Sequence, residues 1–106
     1  MKRAGAAIVM LGLSGPAHAD FHDGNALHAY CQNPRDRGEV MIYASGVAGG
    51  LELSEKKFFC IPKSAKLGQL GDIVCRFLDA NPETRHFPGA VLVARSLRVA
   101  WPCSEP

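Results

Sequence analysis

The side chains that could do chemistry in this 106-residue sequence are four cysteines (Cys31, Cys60, Cys75, Cys103), the histidines His22, His28 and His86, and the carboxylates Asp72, Asp79 and Glu83. A thiol nucleophile needs a base beside it and a group to orient that base. A structural zinc site needs a close cysteine or histidine pair. The smallest cysteine spacing here is Cys60 to Cys75, and no histidines are paired, so metal is disfavoured. An even number of cysteines in a short exported chain instead predicts two disulfides. Oxidised cysteines are not nucleophiles. His22 falls near a chain end, and His28 belongs on a helix surface beside Tyr30. Asp72 and Asp79 belong on the polar side of a helix and Glu83 in a connection, where carboxylates are usually solvated. The run "GVAGG" lacks the lysine and the spacing of a phosphate loop. We therefore expect no catalytic, cofactor or metal site and no enzyme activity.

Export is read from the first nineteen residues. Lys2 and Arg3 precede the apolar run "AGAAIVMLGL", and Ala17-His18-Ala19 offers small residues before a cut. This is the pattern of a secretory signal peptide over 1–19, cleaved before Asp20. An uncleaved anchor would need roughly 17–25 apolar residues, and Gly12, Ser14, Gly15 and Pro16 interrupt the run. The remaining domain is 20–106. Losing Lys2 and Arg3 takes the basic count from 12 to 10, against 10 acidic residues. No basic stripe then argues for nucleic acid, and no membrane attachment is expected after cleavage.

Four helical segments must position the cysteines. The first is predicted over 24–32, capped by Asp23 and ended by Asn33-Pro34. The second runs over 37–52, with Asp36 and Glu39 spaced as a capping box. Val40, Tyr43, Ala44, Val47, Ala48 and Leu51 share one face at helical period. Gly46, Gly49 and Gly50 weaken this helix, and are read as places where a neighbouring helix comes close. The third covers 67–80, with Leu67, Leu70, Ile73, Val74, Phe77 and Leu78 inward. The fourth covers 88–101, with Pro88 as first residue. Val93, Ala94, Leu97, Ala100 and Trp101 lie on one side, and Arg95, Ser96 and Arg98 do not. The segment "AVLVA" alone could be a strand, but its neighbours keep helical spacing. The fold class is all-α, a small disulfide-stapled bundle of about four helices.

A short connection over 81–87 makes the last two helices antiparallel neighbours. Cys60 and Cys103 then fall at the same end of that hairpin. This favours Cys60–Cys103 among three connectivities, and Cys31–Cys75 follows by elimination. Each bridge closes about 44 residues, which the chain-entropy treatment values at about 4 kcal/mol.

Two exposed stretches are left for binding. One is basic and aromatic: Lys56 and Lys57 ahead of Phe58 and Phe59, continuing to Lys63 and Lys66. The other is the hairpin connection with Glu83, Arg85 and His86. For each there is a plainer reading. The phenylalanines pack under their loop while the lysines are solvated, and Arg85 and His86 satisfy carbonyls at the end of the third helix.

The set Phe59-Cys60-Ile61-Pro62, Leu67-Gly68-Gln69-Leu70, Asn81-Pro82-Glu83, Arg85-His86, Pro88 and Trp101-Pro102-Cys103 resembles the Rap/Tai family of immunity proteins from bacterial type VI secretion. "GNALHAYCQ" and "YASGVAGG" resemble the family's first two helices. Three positions depart from the pattern. Val40 stands where the family usually has cysteine, Cys75 where it has an apolar residue, and Lys66 where it has a threonine cap. The resemblance implies a periplasmic protein that binds a secreted peptidoglycan amidase effector and blocks its active-site cleft. Many members dimerise, so a homodimer is among the implied assemblies. An accessory periplasmic protein with the same domain and no cognate toxin is the alternative.

Overall fold

The computed structural model describes residues 22–104. The assigned signal peptide and its cut before Asp20 lie outside the described residues. Within them the chain forms α1 (Gly24–Gln32), α2 (Arg37–Leu51), α3 (Leu67–Ala80) and α4 (Gly89–Ala100), with short 3₁₀ turns at Pro34–Asp36 and Pro82–Thr84. The expected all-α class holds, and "AVLVA" is helical.

Helix ends follow local chemistry. The Asp23 carboxylate accepts the Ala26 N–H at 2.9 Å and caps α1, as expected. Asn33 leaves the helix in an extended conformation ahead of Pro34. The expected capping box of α2 does not form. Asp36 closes the 3₁₀ turn with ψ near 2°, and its side chain makes no cap bond. An N-cap needs extended backbone to aim its oxygen at the first turn, and the turn runs straight into the helix instead. At α3, Lys66 has no acceptor with which to cap. Its own N–H donates to the Gln69 Oε1 at 2.7 Å, so half of a capping box survives. Pro88 sits just outside α4 rather than in its first position.

The four helices bury one core in which Leu27, Val40, Val74, Leu78, Leu92 and Leu97 are almost wholly inaccessible. The predicted faces of α2 and α3 are the buried ones, except that Leu67 is exposed. On α4 the face is turned. Leu92 and Ser96 are buried and Ala100 is exposed. Ser96 is tolerated inside because its hydroxyl donates to the Val93 carbonyl at 2.8 Å, which removes the cost of burying it.

The glycine reading also changes. A Cβ at Gly46, Gly49 or Gly50 would meet nothing within 4 Å, so no neighbouring helix approaches there. Close approach occurs at Gly24, Gly71 and Gly89. A Cβ on Gly24 would lie 2.6 Å from the Arg85 carbonyl oxygen, and one on Gly71 would lie 2.7 Å from the Met41 Cγ. Gly71 thus lets α3 lie against α2, and Gly24 lets α1 reach the connection between α3 and α4.

Two disulfides close the fold, Cys31–Cys75 and Cys60–Cys103, with Cα separations of 5.6 and 4.9 Å. Cys60–Cys103 is the pair that hairpin geometry favours, and Cys31–Cys75 the one that follows by elimination. The first ties α1 to the middle of α3. The second joins the residues ahead of α3 to those after α4, where the Cys60 N–H also donates to the Trp101 carbonyl at 2.9 Å.

Candidate binding surface

The two candidate stretches lie at opposite ends of the α3–α4 hairpin. Fourteen helical residues separate them, or about 20 Å at 1.5 Å per residue. They cannot form one small site.

The connection after α3 is chiefly structural. The Arg85 guanidinium donates through Nε to the Leu78 carbonyl at 2.8 Å and through Nη2 to the Asp79 carbonyl at 3.2 Å. These are end-of-helix acceptors with no partner inside α3. The Arg85 and Phe87 carbonyls accept N–H groups from Asn25 and Gly24 at 2.8 and 3.0 Å. The plainer reading therefore applies to Arg85. It does not apply to His86, which is exposed and packs edge-on against Phe87 at 4.7 Å. The Arg95 guanidinium lies 5.0 Å from the centre of the same ring. Glu83 is exposed.

His22 is better held than its position suggests. Its ring lies between Tyr30 and Tyr43, at 5.6 and 5.5 Å, and its carbonyl accepts the Gly89 N–H at 2.8 Å. Sequence alone missed this, because the partners are far along the chain. Burial pushes the Tyr43 phenol above its ordinary pKa of 10.0, and a hydrogen bond with the Ala90 backbone offsets part of the rise. His28 faces Asp79 at 3.4 Å across α1 and α3.

The loop between α2 and α3 divides at its two phenylalanines. Phe59 is buried in the core, and Phe58 remains 38 % exposed. Lys56, Lys57, Lys63 and Lys66 are all exposed. Two clefts open beside the Cys60–Cys103 bridge. One, of ≈ 400 Å³, is lined by Glu52, Ser54, Lys56, Lys57, Phe59, Cys60 and Ile61. The other, of ≈ 310 Å³, is lined by Lys56, Lys57, Phe58, Arg98, Pro102 and Cys103. Lys63 and Lys66 line neither. Arg98, which had no assigned part in the sequence reading, joins the lysines only because α4 returns to this end.

All four cysteines are bridged, so no thiol is left to attack a substrate. Among the described residues no three His, Cys, Asp or Glu side chains gather to hold a metal ion, and no helix is long and apolar enough to cross a membrane. What the fold offers is a helical scaffold cross-linked by two disulfides, with a candidate loop at each end of the α3–α4 hairpin. The sequence pattern of the Rap1a immunity proteins matches residues 23–103. This chain belongs to that family, whose members act against a toxin effector by binding it. No curated protein and no solved structure matches the chain.

Proposed function

We propose that this chain is a periplasmic immunity protein that binds a type VI secreted peptidoglycan amidase and occludes its active-site cleft. The observation that carries this reading is the family match over 23–103. The two bridges support an oxidising compartment, because such bonds are rare where thiols are kept reduced. The amidase target rests on the resemblance of the residue set from Phe59 to Cys103. Inhibition by occlusion asks no chemistry of the inhibitor. It needs only a surface stiff enough to enter a groove without a large ordering cost, and the bridged loop has that stiffness.

The test is co-expression of residues 20–106 with a panel of type VI amidases carrying inactivated nucleophiles, followed by capture. One amidase should co-purify, and adding the chain to its active form should stop release of cleaved muropeptides. Failure to capture any amidase across the panel removes the assignment. Light scattering on the free chain tests the homodimer implied by the resemblance, and a monomer at micromolar concentration removes it.

A further inference from the structure

We infer that the bundle end built on the Cys60–Cys103 bridge is a cationic docking surface for an acidic face of the partner protein. This rests on the immunity reading and says which surface acts and what chemistry it meets. The two clefts beside the bridge share Lys56 and Lys57, which stand between them. Arg98 completes the second cleft from α4. Among the described residues three cations therefore border these clefts against one carboxylate, Glu52. Glu55, the neighbouring acid, lines neither. This local excess stands out because the chain beyond the signal segment carries equal numbers of acidic and basic residues. Arg37, by contrast, is paired with Asp72 at 2.8 Å, and Arg85 is committed to the end of α3.

The surface is also held in place. Phe59 is buried one residue after the exposed Phe58. Cys60 is fixed both by its bridge and by its N–H bond to Trp101. The cations and the half-exposed Phe58 ring thus project from a braced backbone, so little order remains to be imposed on binding. An aromatic anchor ringed by charges is the usual make-up of a protein interface centre and rim. Concave clefts, one of them lined also by the exposed Glu52, fit a protein partner with mixed but mainly acidic groups better than the uniform negative charge of a lipid surface. Complementary charge of this kind speeds encounter and makes binding sensitive to salt.

The experiment uses residues 20–106, wild type and the variants K56E/K57E, R98E, F58A and, at the opposite end, the exposed N25A. Retained bridges are checked by intact mass and retained folding by circular dichroism. Calorimetry against the captured inactive amidase, at low and high salt, should show K56E/K57E weakening binding about tenfold or more and flattening the salt dependence. F58A should weaken binding at both salts, and N25A should change nothing. Unchanged affinity in K56E/K57E overturns the surface while leaving the immunity reading intact.

A second arm does not need the amidase. Titration of the labelled chain with a glutamate-rich decapeptide should shift amides at 52–61 and 98–103, and K56E/K57E should abolish those shifts. Shifts centred elsewhere overturn the proposal. Positive shifts without any amidase capture would retain the cationic docking surface and remove the amidase. Sedimentation with phosphatidylglycerol vesicles is expected to leave the chain in solution; co-sedimentation lost in K56E/K57E would assign the surface to lipid and overturn it.

Discussion

At the scale of single residues, glycine shows how identity and role separate. Eight described glycines look alike in sequence, yet an added Cβ strikes neighbouring atoms at Gly24, Gly71 and Gly89 and meets open space at the other five. Gly24→Ala should cost about 1–3 kcal/mol, because the clash is with the Arg85 backbone, which cannot swing aside. Gly46→Ala and Gly49→Ala should each stabilise by up to about 1 kcal/mol, since both are helical and exposed. Urea unfolding midpoints decide the matter. Shifts of the same sign in Gly24→Ala and Gly49→Ala would contradict it. Ser96 teaches a related lesson. A polar residue type predicted an outward position, but a bond to the preceding turn let it lie 2 % exposed in the core.

At the scale of elements, most helix limits were legible because they rest on neighbours in sequence. Asp23 caps α1 and Asn33-Pro34 ends it, as their types suggest. The Asp36 and Glu39 spacing was equally clear and still misleading, because the 3₁₀ turn before it fixed the backbone first. Lys66 offers a direct test at the start of α3. Its backbone is already extended, as an N-cap must be, and Gln69 already accepts its N–H. Lys66→Thr should add the missing half of the box and stabilise by about 1 kcal/mol. Lys66→Ala should leave stability near wild type, because the ammonium caps nothing. Thermal unfolding of the three proteins distinguishes these outcomes. No gain in Lys66→Thr would mean that the first turn of α3 already satisfies its amides by other means.

At the scale of the whole molecule, a small core is supplemented by two covalent ties. Each closes a long loop, with sequence separations of 44 and 43. Cys60→Ser with Cys103→Ser should lose about 4 kcal/mol, and full reduction of both bridges about twice that. The second figure rivals the total stability of a domain this size. Circular dichroism with and without reductant is the measurement. A reduced chain that keeps its helical spectrum at 37 °C would show that the apolar core suffices alone. What the sequence by itself determined was the all-α class, the extent of the four helices and the inward faces of α2 and α3, together with a preference for Cys60–Cys103 among three connectivities. Each depends on a repeat of 3.6 residues or on a short turn that returns one helix beside the last. Only the tertiary structure decided which glycines are crowded, that Arg85 seals α3, that the two candidate patches lie at opposite ends, and that Arg98 meets Lys56 and Lys57. Those facts join residues tens of positions apart. Local periodicity carries no record of such distances, which packing alone sets.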